Sequence, residues 1–552
     1  MKTLVRRLIE RRAALTFVLL MFVICAQALA QSQKKQIETD EGCTSIMVGR
    51  LASADGSVMV GHTCDGNYRT WLNVVPHKKH DKGATRKVYW GNLHTEFVSD
   101  MRAKILKGEI PEVEETYSYV NTAYPCLNEK QLGFGETTIN GRDELRNDEG
   151  WFLIEELQAI ALERCTTARD AIKLMGSLAT KYGYGDWGEC LTVADTKEVW
   201  QFEIFGGGPA EKGAVWAAER TPDDHIGVSA NIPRISTIDI KDPDYYMASE
   251  NVFTLAKEMG WWDGKDPFKF WKAYSGKKPF STRELYIFKT FAPSLNISMD
   301  SDELPFSVKP EKKISLQDVL KMYRETYEGT DNDMTKNLMV PKSFRSREEM
   351  AKDSAAGKPV EMIKSPVANA WISRELMVLL NTLKPGTINP TRTIAIARCS
   401  YSQVVQLRGW LPNEVGGVAW FSFDNPAESP RFPIFAGALE LPKSFEVCGQ
   451  QRYREDAATW WFRRANRLAT IQWGKTRGIV EKAAMEFEEK GRTDLPMLEQ
   501  HVQDMLKSDG SDAGHQKARE YLTTYTNDMA RAAMVKWWEL GDQFWSMFSG
   551  GF

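Results

Sequence analysis

The chain lacks an excess of either charge: 71 Lys and Arg stand against 74 Asp and Glu, for a formal net charge of -3 and a pI near 6.3. The two signs are interspersed rather than blocked, so nothing in the balance calls for a nucleic acid partner. The short motifs of several enzyme classes are also missing. There is no Cys-x-x-Cys pair to suggest a zinc ribbon. Nor is there a Gly-x-Ser-x-Gly elbow, a phosphate-binding Gly-rich Lys loop or a His-Glu-x-x-His helix. Histidine is scarce: the seven are His62, His77, His80, His94, His225, His501 and His515, and none sits in a protease signature. His77-x-x-His80 is flanked by Lys78, Lys79 and Lys82 and reads as a solvated loop rather than a metal site. Neither a metal nor an organic cofactor is expected.

Long apolar runs are missing as well. Ala13 to Ala26 is broken only by Thr16 and falls short of the roughly 20 residues a membrane span needs. Before it lies a cationic stretch with Lys2, Arg6, Arg7, Arg11 and Arg12, and after it Ala28-Leu29-Ala30, the small-x-small pattern of a signal peptidase site. Residues 1–30 are therefore expected to be a signal peptide, with a retained N-terminal anchor as the alternative. Cys25 does not make a lipoprotein site, because Phe22-Val23-Ile24 lacks small residues. Residues 31–42 carry a single aliphatic side chain, Ile37, and read as a propeptide or a disordered leader. Export to the periplasm or the medium follows, with no stable membrane insertion once the signal is removed.

From Cys43 onward, about 510 residues remain, enough for a large core and more than one structural unit. The 18 Trp sit mostly among apolar neighbours, where core packing is favoured over a sugar-binding surface. Removing Cys25 leaves Cys43, Cys64, Cys126, Cys165, Cys190, Cys399 and Cys448. An odd number in an oxidising compartment leaves a thiol over, and Cys43 is the candidate; the alternative is that several are buried apolar side chains.

Ser45 to Arg50 and Ser57 to His62 are β-prone runs joined by Ala54-Asp55-Gly56, a hairpin signal. Further strands are expected at Trp71 to Val75, Tyr117 to Val120, Leu132 to Glu136, Leu191 to Ala194, Val199 to Ile204 and Ile226 to Ala230, with helices at Trp151 to Arg164 and Thr167 to Tyr182. Residues 236–391 read as a loop- and helix-rich insertion, including a helix from Leu316 to Tyr327 opened by Ser315 with Asp318. β character returns at Thr393 to Ala397, Ser402 to Leu407 and Gly417 to Phe423. The expectation is an α+β catalytic domain over 43–448 followed by a helical region over 449–552. In that region Trp461, Ala465, Leu468, Val535, Trp538, Phe544 and Met547 to Phe548 mark the apolar faces.

Cys43 carries the chemistry. A thiol with a pKa near 8.5 is barely ionised at neutral pH and needs a base. Cleavage between Gly42 and Cys43 would supply one on the same residue, since an α-amine titrates at about 7.7 to 8. Glycine at position 42 offers little obstruction when the sulfur attacks the preceding carbonyl.

Cys43-Thr44-Ser45-Ile46-Met47-Val48-Gly49 with Ala52-Ser53-Ala54-Asp55-Gly56-Ser57 resembles the mature start of the dipeptidase A type family, cysteine peptidases of the N-terminal nucleophile (Ntn) hydrolase superfamily. Gly135-Glu136-Thr137-Thr138, Val193-Ala194-Asp195, Val228-Ser229-Ala230-Asn231 and Tyr327-Glu328-Gly329-Thr330 extend the resemblance in order along the chain. It implies an αββα sandwich, autocatalytic exposure of Cys43 and hydrolysis of dipeptides or short peptides through a thioester. It implies Asp65 as the residue that orients the α-amine and Asn231 as support for the amine or the reacting carbonyl. Many relatives have Arg-Asn-x-Asp where this chain reads His62-Thr63-Cys64-Asp65, so His62 either substitutes for the guanidinium or merely packs. Arg392 and Arg398 both stay open as a further basic residue. Two other functions remain: an Ntn amidase acting on bile-salt or penicillin amides, and a secreted binding protein that has lost catalysis. The sequence does not fix an oligomeric state, and a homo-oligomer stays open.

Overall fold

Strands covered on both faces read as continuous apolar runs rather than as alternation, and all five residues of Thr44–Val48 and all eight of Val58–Asp65 are buried. A computed structural model describes residues 42–66, 68, 71–208, 213–276, 281–343, 346–358 and 360–550. The expected signal peptide, and the leader apart from Gly42, lie outside these residues.

The principal strands are β1 (Thr44–Val48), β2 (Val58–Asp65), β3 (Gly133–Thr138), β4 (Glu189–Ala194), β5 (Val199–Gly206), β6 (Ala214–Thr221), β7 (Ile226–Ser229), β8 (Cys399–Leu407), β9 (Gly417–Phe423) and β10 (Phe432–Phe435). One antiparallel sheet has seven strands in the order Ser307–Val308, β7, β1, β2, β8, β9, β10. A second has eight: Tyr246–Ala248, β6, β5, β4, β3, and then Leu127–Asn128, Tyr119–Asn121 and Asn73–Val75. The sheets meet face to face. Ser45 Oγ donates to the Glu136 carbonyl at 3.0 Å and Gln403 Nε2 to that of Phe134 at 3.2 Å. Gly135 sits at the closest approach, where an added Cβ would come within 2.9 Å of the Gly61 carbonyl oxygen.

Helices α1 (Ile154–Arg164) and α2 (Ala168–Tyr182) cover the second sheet, where Gly176 of α2 lets the Trp216 ring of β6 lie against the helix. Thr167 caps α2 by accepting from the Asp170 N–H, a contact worth about 1 kcal/mol. The first sheet is covered by α3 (Thr282–Phe291) and α4 (Leu316–Tyr323). Ile46, Val228, Ile287, Phe288, Val319 and Val404 form one apolar cluster there. The Ser315/Asp318 capping box is formed at the start of α4, and the Tyr323 hydroxyl at its end accepts from the Ile46 N–H at 2.9 Å.

The C-terminal region consists of α5 (Ala458–Ala469), α6 (Trp473–Ser508) and α7 (Asp512–Met547). Phe462 of α5 stacks on Phe423 of β9 with ring centres 5.8 Å apart. The buried face of α7 runs through Ala530, Ala533, Met534, Trp537, Leu540 and Phe544, so Val535 and Met547, expected inside, are exposed. Phe544 and Phe548, also expected inside, are buried, and the Trp537 indole N–H donates to Asn466 and the Glu428 carbonyl. Thr393 to Ala397 is not a strand. Its backbone is held by other partners: Ala395 N–H donates to the Glu325 carbonyl and Trp371 Nε1 to the Ala395 carbonyl. Trp71, Trp200, Trp420, Trp473 and Trp537 are fully buried. Among the described residues, the seven cysteines from Cys43 to Cys448 are buried and none forms a disulfide. Among the described residues no helix is long and apolar enough to cross a membrane.

Candidate active site

Cys43 stands immediately before β1, and hairpin pairing sets Thr44 opposite Thr63 of β2. The Thr44 N–H donates to Thr63 Oγ1 at 2.9 Å, and that hydroxyl donates onward to Asp65 Oδ2 at 3.1 Å. Asp65 ends β2 opposite an irregularity in β8 between Cys399 and Tyr401; irregularities of this kind re-aim side chains beside active sites. Asp65 Oδ2 also accepts from Arg392 Nη2 at 2.7 Å, in a pair 2% and 0% exposed. The same Nη2 donates to the Gly42 carbonyl at 2.5 Å. Asp65 Oδ1 is buried with no hydrogen-bond partner. Of the two arginines left open, Arg392 reaches this group with its side chain, while Arg398 contributes its backbone carbonyl, accepting from the Gly66 N–H at 3.0 Å.

Asn231 follows β7 and takes a left-handed φ of 64°, a strained conformation that asparagine tolerates better than most residues. Two bonds hold its amide: Nδ2 donates to the Thr138 carbonyl at 2.8 Å, and Oδ1 accepts from Arg283 Nη2 at 3.0 Å. Gly42, at φ 140°, lies directly on that amide, and a Cβ there would sit 2.3 Å from Asn231 Oδ1. Glycine is therefore required ahead of the cysteine by both space and backbone. Arg283, on α3 and 1% exposed, also donates to the Cys43 carbonyl at 2.6 Å and to Thr44 Oγ1 at 3.0 Å. Sequence reasoning missed Arg283, because a Thr-Arg-Glu at a helix start carries no sign of reaching a residue 240 positions away.

Glu136 of β3 was given no role by the sequence, where it appears as the end of a strand and within a stretch shared with the resembled family. The Cys43 sulfur, a His62 ring nitrogen and a Glu136 carboxylate oxygen lie within 4.8 Å of one another, all buried. Sulfur, imidazole and carboxylate form a donor set that a thiophilic divalent ion accepts, and among the described residues this is the group placed to hold one. His62 Nδ1 lies 2.6 Å from the Glu136 carbonyl oxygen, which assigns its hydrogen there, and Nε2 is buried without a partner. Burial lowers the His62 pKa to about 4, so the ring is neutral at physiological pH and supplies no cation beside the thiol. Burial raises the Cys43 thiol well above its ordinary value, helped by Glu136, Cys64 and Asp65 and offset in part by the Asp65 N–H. Burial also pushes Glu136 up to about 7, and lifts Glu189, which Glu136 raises further. A cavity of about 1460 Å³ opens elsewhere, between α4 and α6, and contains none of these residues.

A buried thiol beside a polarised carbonyl, a carboxylate oxygen awaiting a donor and two guanidinium groups can carry out acyl transfer; this is the equipment of a cysteine-nucleophile hydrolase. Residues 42–486 match Peptidase family C69, and the chain belongs to that family of cysteine peptidases. It is 24% identical over 440 residues to a probable dipeptidase of Latilactobacillus sakei, covering 77% of this chain and 80% of the relative. A probable dipeptidase of Salmonella dublin is 26% identical over 418 residues, 72% of this chain and 81% of its own. Dipeptidase A of Lactobacillus helveticus is 20% identical over 419 residues, 73% and 77% of the two chains.

Proposed function

We propose that this protein is an exported dipeptidase with an Ntn-type αββα body, in which Cys43 becomes the first residue by cutting its own chain. One observation carries the reading: the Gly42 carbonyl is held by Arg392 immediately before the cysteine, and Arg392 also grips Asp65. The Cys43 sulfur adds to that carbonyl while the guanidinium stabilises the charge forming on its oxygen. The C–N bond breaks, the thiol proton ends on the departing nitrogen, and a Gly42 thioester is left on Cys43. Water hydrolyses the thioester, releasing the Gly42 carboxylate and freeing thiol and α-amine together.

The new α-amine is the base a buried, un-ionised thiol lacks. Asp65 Oδ1, buried and without a partner, is the acceptor that orients it. A dipeptide then places its carbonyl where the Gly42 carbonyl stood, beside Arg392. The amine takes the thiol proton, sulfur attacks, the leaving amine receives the proton, and water cleaves the second thioester. The dipeptidase names of the relatives favour peptides over bile-salt or penicillin amides as substrates.

The test is the full chain carrying Cys43→Ala. It should keep its leader and release no amino acids from dipeptides, and normal hydrolysis by that variant would refute the assignment.

A further inference from the structure

We propose that the Glu136 carboxylate, backed by Glu189, receives the free α-ammonium group of the substrate, so that the enzyme selects peptides whose amino terminus lies one residue before the scissile bond. The inference rests on the peptidase reading above and adds to it a substrate class and a specificity-determining residue.

Distance supports it first. In any peptide the α-nitrogen lies roughly 2.5 Å from the carbonyl carbon of its own residue, and that carbon must come within about 3.5 Å of the attacking sulfur. An acceptor for the nitrogen therefore belongs within about 4–7 Å of Cys43 Sγ, allowing a hydrogen bond of ordinary length. A Glu136 carboxylate oxygen lies within 4.8 Å of that sulfur. Asp65 does not compete for the role, since one of its oxygens is held by Thr63 and Arg392 and the other is the acceptor for the enzyme's own amine.

Charge supports it independently. Glu136 and Glu189 are 0% and 2% exposed, and one carboxylate oxygen of each is buried without a hydrogen-bond partner. Neither carboxylate has an ion-pair partner among the described residues, although other buried carboxylates in this protein do: Asp65 has Arg392 at 2.7 Å and Asp424 has Arg463 at 2.7 Å. Glu203 and Glu428 are likewise buried without an ion pair among the described residues, but they stand singly and accept from the Arg234 and Ile235 N–H groups and from Asn425; two such carboxyls side by side next to a nucleophile, where desolvated charge is costly, mark a place for a cation. The groups around them do not fill it. Asp186, Cys43, Tyr68, Tyr124 and Tyr184 are neutral or acidic, His62 is uncharged at neutral pH, and Arg146 acts on Asp186. The Tyr68 and Tyr124 rings, 5.7 Å apart, add walls that tolerate an ammonium group.

The test uses full-length enzyme and three substrates: alanyl-alanine, its N-acetyl derivative, and propionyl-alanine, which lacks the amine alone. The readout is kcat/KM for alanyl-alanine divided by that for propionyl-alanine, a ratio within one preparation that is unaffected by the fraction folded or processed. A site built around a polar group rejects an analogue lacking it by large factors, so the wild-type ratio should be about 10³ or more, with the N-acetyl compound rejected similarly. Glu136→Gln should lower the ratio by at least about 30-fold and Glu189→Gln by a smaller factor. Propionyl-alanine turned over within about threefold of alanyl-alanine by wild type, or a Glu136→Gln ratio equal to wild type, would overturn the inference and leave the peptidase reading standing. If Glu136→Gln fails to fold, the wild-type ratio and Glu189→Gln still decide. Processed wild type that cleaves none of the three, nor any other dipeptide, would overturn both.

Discussion

Two buried carboxylates border Cys43, and the fold treats them differently. Asp65 is tied to Arg392 at 2.7 Å and to Thr63 at 3.1 Å, while the Glu136 carboxyl has no counter-ion among the described residues, a carboxylate neighbour in Glu189 and a pKa raised to about 7 by burial. The Asp65 side has its charge matched by Arg392 and hydrogen bonds passing through Thr63 to the backbone of Thr44, with Oδ1 alone left without a partner. The Glu136 side has the construction of a receptor, holding an unfavourable arrangement that a ligand would relieve. In the proposed mechanism the first positions the nucleophile and the second meets the substrate.

The strongest test of the comparison removes what both sides serve. Cys43→Ala should lower peptide hydrolysis by at least about 10⁴-fold, measured by release of free amino acids, because the support and the receptor have no chemistry without the sulfur. Next is the paired side. Arg392→Met strands the Asp65 charge in the interior and takes away the donor to the Gly42 carbonyl. It should cost about 3–5 kcal/mol of stability by chemical denaturation and slow leader removal by about 10²-fold, followed by mass.

Glu136→Gln should act in the opposite direction on stability. Folding raises the Glu136 pKa from its ordinary 4.5 to about 7, so the folded chain holds a proton the unfolded chain has lost, and stability falls as pH rises across that window. Glutamine removes this penalty. The variant should therefore be more stable than wild type at pH 8 by a few kcal/mol, with the gap closing as pH falls toward 4.5, as read by thermal melts across pH. A variant less stable at pH 8 would erase the contrast between the two carboxylates. Thr63→Val should cost about 1–3 kcal/mol, since the Thr44 N–H and Asp65 Oδ2 both lose their shared partner. Lys490→Ala, which breaks an exposed pair with Asp494 on α6, should change stability by less than about 0.5 kcal/mol and activity not at all.

The sequence was most legible where the signal is local. The Asp-Gly hairpin places β1 against β2, Ser315 and Asp318 close the capping box, and Thr167 caps α2, each decided by residues within a few positions of one another. Cys43 could be singled out because the chemistry proposed for it depends on its own backbone. What could not be read depends on contacts across the chain: Arg392 meets Gly42 over 350 positions and Arg283 meets Cys43 over 240, and no periodicity reports such a meeting. Glu136 was hidden for another reason. In a strand buried on both faces, a carboxylate stands in a run of buried residues and gives no alternation to mark it. The Thr393 to Ala397 segment misled because its β-prone composition was overridden by tertiary partners in Glu325 and Trp371.

In the proposed mechanism hydrolysis depends on the chain acquiring a new first residue, and an intact-mass time course with activity assayed on the same samples measures this directly. Hydrolysis should appear in step with the species that begins at Cys43 and be absent while Gly42 remains attached. Full activity in material that still carries Gly42 would contradict it.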